Sequence, residues 1–514
     1  MIPHNTVDSR FLQTCDIPLE EFAIEPFTMV IFGGAGDLSQ RKLLPALYHI
    51  YEDGMLPEKF TILGFGLPEM SDEAYRELAR DAFEKFSEGF LDKSNWQKFA
   101  RHLFYLSADF RTDANYRILG RRIDEIGVTT EKNRKDVIFY MAVPPKFAPL
   151  IIEKLKEKHL NKGTFNTKVI MEKPFGTDKP SAIELNKIVG QAFDENEIYR
   201  MDHYLGKDTV QNMLFFRFSN SIFEPLWNRR YVDHVQINVA EDLGVEHRGL
   251  FYEQAGVVRD IVQNHIMQLL ALVAMEAPVG FEADFVRNEK VKIFQTIGPM
   301  DEEYIDNFTV RGQYGPGKIR GENVPGYREE ENVASDSNTP TFFAGKLYIY
   351  NWRWAGVPFY VRTGKRLARR ITEISVQFKQ PPLRLFGRSC DVLEPNILAL
   401  GIQPQEEMAL RLGVKYPGSV NQIYSVNMEF NYQKSFNIKR HPPYERLLMD
   451  CMKGDLTLFA CQDEIEAMWA AVDPIIARWE SKPATDFPNY PVGSWGPKEA
   501  DELIEKEGRK WRTW

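Results

Sequence analysis

One histidine in the sequence has the surroundings of a candidate general base. His265 ends the polar segment 259–265 and is followed by the strongly apolar residues 266–275. A histidine in such a place is more often a hydrogen-bonded core residue than a catalytic one. It becomes a general base when a carboxylate orients its ring and a reacting hydroxyl lies within hydrogen-bond reach. The segment therefore predicts that His265 is a general base only if an acidic residue elsewhere in the chain orients its ring.

A second polar segment, Arg200–Lys207, groups donors that suit a phosphate monoester. His203 and Lys207 are four residues apart and share a face if the segment is helical, and Tyr204 lies beside His203. Charged and polar donors of this kind bind phosphate oxygens strongly. The alternative is a solvated helix start without a ligand.

Two further basic positions lie in loops. Lys173 belongs to the segment Met171–Gly176, directly after an apolar strand, and the carboxyl ends of parallel strands face the ligand crevice of an α/β sheet. The alternative for Lys173 is a surface lysine, and position alone does not decide between the two. The loop Arg362–Arg370 is basic in an acidic chain, and such a loop is more often solvated than functional.

A glycine turn lies between a buried strand and a helix. The apolar run Phe27–Phe32 is followed at once by Gly33, Gly34 and Gly36, and then by a helical pattern of leucines. Glycines allow the backbone to approach a pyrophosphate, and the N-terminus of the next helix offers free N–H groups. The turn therefore predicts dinucleotide binding rather than a structural bend, although its spacing is not GxGxxG and Asp37 is unusual beside phosphates.

The elements around these motifs divide the chain into an N-terminal arm (1–26), a doubly wound α/β domain (27–200) and an α+β domain (201–514). Apolar runs predict the parallel strands Phe27–Phe32, Phe60–Phe65, Val137–Val143 and one that ends at Val169–Met171. Alternating runs predict antiparallel strands with one solvated face over Asp233–Glu241, Phe342–Tyr350, Glu373–Phe378, Glu407–Val414 and Ser425–Phe430. A helix is predicted over Val257–Met275.

Composition excludes several classes of protein. The 514 residues carry a formal net charge of −9, which disfavours nucleic acid and anionic membranes as partners because both need a basic surface. No apolar run reaches about 18 residues, so no membrane span is expected. The four cysteines form no CxxC pair, which disfavours a zinc site or a disulfide framework and favours a reducing, cytoplasmic location. No other cluster of ligand residues indicates a metal.

Taken together and in order, the motifs resemble those of the glucose-6-phosphate dehydrogenase family. The resemblance covers residues 27–512 and rests on the segments Gly33–Leu38, Glu172–Gly176, Asp202–Lys207, Gln263–His265, Trp352–Phe359, Thr363–Lys365, Tyr444–Leu448 and Gly493–Pro497. It implies oxidation of glucose 6-phosphate at C1 to 6-phosphogluconolactone with NADP, the first step of the oxidative pentose phosphate pathway. It also implies a Rossmann domain and a large α+β domain whose antiparallel sheet forms the interface of a homodimer or homotetramer.

The resemblance gives a role to each matching residue. It implies that His265 is the general base and that Asp202 is the carboxylate that orients it. The residues that match phosphate contacts are His203, Tyr204 and Lys207. The residues that match sugar contacts are Lys173, Glu241, Asp260, Lys365 and Arg370, with Arg369 as the alternative to Arg370. The residues that match the nucleotide site are Gly33, Gly34, Gly36, Asp37, Leu38, Lys42 and Lys173.

The nucleotide-binding stretch departs from the family pattern at one position. Family members usually carry an arginine after the second strand, in a Gly-aromatic-Ala-Arg sequence, where it binds the 2′-phosphate of NADP. This chain has Leu67 at that position and Glu69 two residues further on. An acidic residue near the ribose favours NAD and an arginine accommodates NADP, so we expect NADP with weak discrimination against NAD. Arg41 or Lys42 could reach the 2′-phosphate from the first helix instead.

Two other functions stay open at this point. One is a catalytically silent relative that senses nucleotide and sugar phosphate, against which Asp202, His265 and Lys173 argue. The other is a nicotinamide oxidoreductase of unphosphorylated sugars, against which His203 and Lys207 argue.

Overall fold

A computed structural model of the chain describes residues 24–87, 91–130, 134–163, 165–319, 321–383, 393–419, 422–436 and 442–512. Most of the predicted N-terminal arm lies outside these ranges, as do Cys15 and Cys390. The two described cysteines, Cys451 and Cys461, are free thiols. Within the described ranges, no helix has both the length and the hydropathy that a membrane span requires.

Six parallel strands form the first sheet. They are β1 Phe27–Phe32, β2 Phe60–Gly66, β3 Leu103–Ser107, β4 Lys135–Met141, β5 Phe165–Glu172 and β6 Ile198–Met201. Their order is β3-β2-β1-β4-β5-β6, so the winding reverses between β1 and β4. β1 and β2 are buried along their whole length, as expected when helices cover both faces of a parallel sheet. The predicted doubly wound α/β architecture is confirmed.

Helices connect the strands of this sheet. They are α1 Leu44–Glu52, α2 Asp72–Phe86, α3 Lys93–Ala100, α4 Asp113–Ile126, α5 Ala148–Glu157 and α6 Lys179–Gly190, with 3₁₀ turns at Pro145–Phe147 and Glu195–Glu197. A π-helical turn, Ser39–Leu43, leads from the glycine turn into α1. α2 begins after Ser71, whose hydroxyl accepts a hydrogen bond from the backbone N–H of Ala74 at 3.2 Å.

Eight strands form the second sheet, in the order β17-β16-β15-β14-β7-β13-β12-β8. With the strands of two small ribbons, the remaining strands are β7 Val232–Ala240, β8 Thr309–Gly312, β9 Tyr314–Gly315, β10 Gly317–Ile319, β11 Glu322–Val324, β12 Phe342–Tyr348, β13 Pro358–Gly364, β14 Ile371–Phe378, β15 Ile397–Gln403, β16 Glu407–Lys415, β17 Ile423–Asn431 and β18 Tyr490–Pro491. All five predicted strands of this half are present, and β8, β13 and β15 complete the eight-stranded sheet.

The second sheet differs from the prediction in two ways. β7 is antiparallel to β14 but parallel to β13, because the chain between β7 and β13 crosses over through several helices. The inner strands are also buried on both faces instead of one. Phe343 belongs to the main hydrophobic core, whereas its neighbour Phe342 faces a second core that includes Tyr360 and Trp511. Since the C-terminal segment covers that second face, alternation in the sequence did not mean solvent exposure.

The second half of the chain also contains helices. They are α7 Asp208–Phe218, α8 Gly249–Val257, α9 Met267–Ala274, α10 Ala283–Gln295, α11 Glu302–Phe308, α12 Tyr432–Phe436, α13 Pro443–Lys453, α14 Gln462–Ser481 and α15 Lys498–Glu505, with 3₁₀ turns at Glu224–Leu226, Glu246–Arg248 and Tyr327–Glu329. The predicted helix Val257–Met275 is present as a π-helical segment, Val258–Ile266, that continues into α9.

Two late helices pack back onto the first sheet. Lys168 of β5 donates hydrogen bonds to the carbonyl oxygens of Cys451 and Met452, at the end of α13, at 2.7 and 2.9 Å. The indole N–H of Trp469, in α14, donates to the carbonyl oxygen of Phe175 at 2.8 Å. Residues from both halves of the chain therefore meet beside the carboxyl ends of β5 and β6.

Candidate active site

The glycine turn forms a cradle that side chains would fill. Gly33 has a φ of +83°, and a Cβ atom there would lie 2.3 Å from the carbonyl oxygen of Ala142. A Cβ atom on Gly34 would lie 2.5 Å from the Cα atom of Gly64. The turn then enters the π-helical segment Ser39–Leu43, and the first N–H groups of a helix lack partners within it. This bare backbone, next to a helix N-terminus at the switch point of the sheet, fits a dinucleotide pyrophosphate.

The side chains at the start of this helix are exposed and partly paired. Asp37 accepts a hydrogen bond from Arg41 Nε at 2.5 Å, and the Arg41 guanidinium lies 5.0 Å from the centre of the Phe86 ring. Lys42 is exposed. After β2, the side chain of Leu67 is 63% exposed, and Glu69 is exposed as well. The end of β2 thus offers an apolar and an acidic side chain where a nucleotide ribose would lie.

A buried histidine–aspartate pair lies at the centre of the site. His265 Nδ1 is 2.5 Å from Asp202 Oδ1, and the two side chains are 1% and 8% exposed. His265 comes from the π-helical segment, and Asp202 directly follows β6. Asp202 Oδ1 also accepts the backbone N–H of Tyr204 at 2.9 Å. Two hydrogen bonds therefore fix the carboxylate, which in turn fixes the imidazole ring.

Lys173 determines which nitrogen of His265 carries the proton. Its Nζ lies 2.9 Å from His265 Nε2 and donates to the carbonyl oxygen of Asp260 at 2.8 Å. A lysine ammonium only donates, so Nε2 is the acceptor and Nδ1–H donates to Asp202. Asp260 and His265 both reach Lys173 because they lie five residues apart on one face of a π-helix. The lone pair of the imidazole ring is thus on Nε2, where it accepts the hydrogen bond from Lys173.

Burial and charge keep this pair in the form that a base requires. Burial lowers the pKa of His265, and the facing Asp202 carboxylate only partly opposes that effect. Burial alone would raise the pKa of Asp202, but His265 holds it well below its usual range. An ionised Asp202 beside a neutral imidazole stabilises the imidazolium that forms when Nε2 accepts a proton.

The candidate phosphate-binding residues come together in a turn. The prediction that His203 and Lys207 share a helix face is wrong, because α7 begins only at Asp208. Burial is the main reason that the pKa of His203 is lowered. The turn still brings the two side chains close enough that the charge of Lys207 adds a smaller effect in the same direction. The Tyr204 ring stacks on His265 at 4.0 Å between centres, and Lys207 Nζ lies 4.2 Å from the centre of the Tyr204 ring.

Burial and a neighbouring cation prepare Lys207 for an anion. Burial, together with the positive charge of Arg370, lowers the pKa of Lys207 to about 8. Arg370 therefore faces Lys207, whereas the Arg369 guanidinium lies 5.9 Å from the centre of the Trp495 ring. Lys207 Nζ also donates to Gln403 Oε1 at 2.5 Å. Two cations in one place are favourable when an anion binds between them.

Three further charged residues of the candidate site contact one another: Lys365, Glu241 and Asp260. Lys365 Nζ donates to Glu241 Oε2 at 2.6 Å and lies 3.6 Å from Asp260 Oδ2. Lys173 Nζ lies 3.5 Å from the other oxygen of Asp260. The positive charges of Lys173 and Lys365 hold the pKa of Asp260 below its usual range, although burial acts to raise it. Carboxylates and lysines in alternation suit the hydroxyl groups of a sugar, which both donate and accept.

Sequence patterns missed several residues of this site. Gln403 is a lone glutamine at the end of β15, and no signal in the sequence connects it to Lys207. Glu172, next to Lys173, is half-buried and accepts a hydrogen bond from the hydroxyl of Tyr140 at 2.5 Å. It is also hydrogen-bonded to the hydroxyl of Tyr444.

The site suits hydrogen-bonded ion pairs better than a metal. Asp202, His203 and His265 bring ligand atoms within 4.8 Å of one another. However, the Nδ1 and Oδ1 atoms of that group already bond each other, and Lys173 Nζ occupies the face of Nε2. A cation would have to displace an ammonium group, so the donor set does not favour one.

A glycine turn at the switch point of a parallel sheet, together with a buried histidine held by a carboxylate, is typical of a dinucleotide-dependent oxidoreductase. Residues 30–212 match the family model described as glucose-6-phosphate dehydrogenase, NAD binding domain. Residues 214–512 match the model described as glucose-6-phosphate dehydrogenase, C-terminal domain. This chain belongs to the glucose-6-phosphate dehydrogenase family.

Similar proteins align over nearly the whole chain. The glucose-6-phosphate 1-dehydrogenase of Chlamydia pneumoniae is 46% identical over 497 residues, 95% of this chain and 96% of that protein. The enzyme of Bacillus subtilis is 41% identical, over 94% of this chain and 97% of its own length. A solved structure of glucose-6-phosphate dehydrogenase with its substrate glucose-6-phosphate superimposes with a TM-score of 0.86 at 33% identity, covering 95% and 99% of the two chains. The solved structure of glucose-6-phosphate 1-dehydrogenase from Mycobacterium avium superimposes with a TM-score of 0.81 at 34% identity, and it also covers 95% and 99% of the two chains.

Proposed function

We propose that this chain oxidises glucose 6-phosphate at C1 to 6-phosphogluconolactone, with hydride transfer to a nicotinamide dinucleotide. The reaction is the first step of the oxidative pentose phosphate pathway. The observation that carries the proposal is the tautomer of His265: Nδ1–H is bound to Asp202, which leaves the lone pair on Nε2, the nitrogen that contacts Lys173. Family membership and the substrate in the similar solved structure support the choice of sugar phosphate.

His265 takes the proton of the C1 hydroxyl on Nε2. Asp202 then stabilises the imidazolium through the hydrogen bond at Nδ1. Lys173, which occupies Nε2 in the free protein, moves its hydrogen bond to the sugar and keeps the reacting oxygen in place. When bound, the nicotinamide ring accepts the hydride that leaves C1.

The phosphate group of the sugar binds between Lys207 and Arg370, with further hydrogen bonds from His203 and Tyr204. The charge of Arg370 lowers the pKa of Lys207, and a phosphate bound between the two cations would relieve that repulsion, which supports this assignment. Glu241, Asp260 and Lys365 line the wall that would receive the sugar hydroxyls. A phosphate held far from C1 contributes binding energy that orients the ring.

The dinucleotide is NADP, with NAD as a weakly excluded alternative. Gly33, Gly34 and Gly36, with the backbone of Asp37 and Leu38, would hold the pyrophosphate. Lys42 and Lys173 would supply positive charge to the bound dinucleotide. Leu67 lacks the charge that would hold a 2′-phosphate, and Arg41 is already paired with Asp37. We assign nucleotide binding to residues 27–200, and substrate binding with subunit contacts to residues 201–514.

The active form is a homodimer, or a homotetramer built from two dimers. Three apolar side chains on one face of β17 are 40–63% exposed: Tyr424, Val426 and Met428. Alternate residues of a strand share a face, so these three form one apolar surface. An exposed apolar surface on an outer strand supports burial against a second copy of the chain.

Turnover with paired substrates tests the function. Reduced nicotinamide is followed by absorbance with glucose 6-phosphate or glucose, and with NADP or NAD. We expect oxidation of glucose 6-phosphate with kcat/KM at least about a thousandfold above that for glucose, since the phosphate forms several charge-assisted bonds. Equal rates with both sugars would contradict the phosphate site, and no turnover with either nucleotide would contradict the enzyme.

A further inference from the structure

The first turn of α13 contacts three parts of the protein: the turn that carries Lys207, the loop of Lys173, and helix α1 of the nucleotide-binding half. This turn, Pro443–Glu445, is called the brace below. A Cβ atom on Gly206 would lie 2.5 Å from the carbonyl oxygen of Pro443, so the turn that carries Lys207 lies directly against the brace. The absence of a side chain at Gly206 is what permits this close approach.

Tyr444 connects the brace to the loop of Lys173. Its hydroxyl is hydrogen-bonded to Glu172, the residue before Lys173. Its ring is nearly parallel to that of His203, at 6.2 Å between centres and 15° between planes. The brace thus touches both the base side and the phosphate side of the candidate site.

Glu445 connects the brace to the nucleotide-binding half. Its Oε1 lies 2.6 Å from Nδ1 of His49, and the two side chains are 2% and 11% exposed. His49 belongs to α1, the helix that continues from the glycine turn. His49 Nε2 in turn lies 2.8 Å from the hydroxyl of Ser87, so hydrogen bonds hold both nitrogens of the ring. A hydrogen bond between two buried groups is directional, and it fixes one arrangement where an apolar contact would allow several.

We propose that Glu445 is a positioning residue for hydride transfer, because its bond to His49 sets the distance between the nucleotide-binding helix and the sugar. The inference rests on the proposed function. In the proposed function, the turn that carries Lys207 anchors the sugar, and the glycine turn before α1 anchors the dinucleotide. The two ligands are not bonded to each other, so the protein must set the distance between them. The brace touches both anchors, and displacements on the order of 1 Å in such a geometry cost about 100-fold in rate.

Three variants test the proposal in the full-length protein. Glu445→Ala removes the link, Glu445→Gln keeps its shape and a hydrogen bond, and Lys168→Met removes the two bonds at the opposite end of α13. For each variant we measure Tm, kcat, KM for glucose 6-phosphate, and the primary deuterium isotope effect with the substrate deuterated at C1. The isotope effect reports how far hydride transfer limits turnover, which a loss of stability alone does not change.

We expect Glu445→Ala to lower kcat about tenfold, to change KM less than about twofold, and to increase the isotope effect. Glu445→Gln should recover kcat to within about threefold of wild type. Lys168→Met should lower Tm and leave the isotope effect unchanged. An unchanged kcat and isotope effect in Glu445→Ala, or a change confined to KM, would overturn the proposal while an active wild type leaves the proposed function intact.

His49→Ala provides a second route if Glu445→Ala does not fold. It breaks the same link from the other side, so it should raise the isotope effect to a similar extent. The double variant should lose no more activity than either single variant, because both remove one interaction. Additive losses would show that His49 and Glu445 act separately and would contradict the brace.

Discussion

Lys173 Nζ lies 2.9 Å from His265 Nε2, although the two residues are 92 positions apart in the chain. Lys173 follows β5 of the nucleotide-binding sheet, and His265 lies in the π-helical segment between β7 and β8 of the second sheet. In the proposed reaction His265 Nε2 accepts the substrate proton, so this contact joins the proposed base to the loop that follows β5. Disturbing either partner should therefore affect chemistry more than binding.

Removal of the base should abolish most of the activity. His265→Ala and Asp202→Asn should each lower kcat strongly and change KM for glucose 6-phosphate less, because loss of a general base costs about 100- to 10,000-fold. Steady-state kinetics measure the effect. His247→Ala is the matched control, since that imidazole is 94% exposed and paired only with a surface glutamate in the described structure. A His265→Ala enzyme within a few-fold of wild type would rule out this base.

The pH profile should report the same histidine. The base must be neutral, so kcat/KM falls as pH drops through the pKa of His265. Burial lowers that pKa, which places the acidic limb below about pH 6.5. The Asp202 carboxylate raises the pKa of His265, so Asp202→Asn should move the limb to lower pH. A limb that moves to higher pH in this variant would contradict the assigned partner.

Much of the nucleotide-binding half was predictable from sequence, because its signals are local. The run Phe27–Phe32 is continuous and apolar, and a strand buried on both faces requires such a run. Spacing was less informative for His203 and Lys207, since four residues can span a helical turn or a non-helical one. Gln403 was not predictable at all, because its role depends on where the end of β15 lies in three dimensions.

Loss of the phosphate-binding cation should discriminate between substrates. Lys207→Ala should raise KM for glucose 6-phosphate about 30- to 150-fold, the equivalent of roughly 2 to 3 kcal/mol for a charge-assisted bond. KM for glucose should stay nearly unchanged, because glucose has no phosphate. Arg369→Ala is the control variant, since that guanidinium lies against Trp495. An equal effect of Lys207→Ala on both sugars would place Lys207 away from the phosphate.

The same lysine should produce an alkaline limb. Burial lowers the pKa of Lys207 to about 8 in the free protein, so its charge is present below that pH and is lost above it. We expect kcat/KM for glucose 6-phosphate to decline above about pH 8, and the value for glucose not to decline in this way. Lys207→Arg should remove the limb, because a guanidinium stays charged throughout the range. Persistence of the limb in the arginine variant would assign it to another group.

Nucleotide selectivity should depend on the end of β2. Leu67 is exposed and uncharged where an arginine would hold a 2′-phosphate, and Asp37 already neutralises Arg41. The loss of one charge-assisted contact corresponds to about 30- to 150-fold in selectivity, so wild type should discriminate weakly against NAD. Leu67→Arg should strengthen NADP binding by a similar factor and leave NAD binding nearly unchanged. Titration calorimetry gives Kd for both nucleotides independently of turnover, and Leu67→Gln serves as an uncharged control. If wild type already prefers NADP more than about a thousandfold and Leu67→Arg adds nothing, another cation holds the 2′-phosphate.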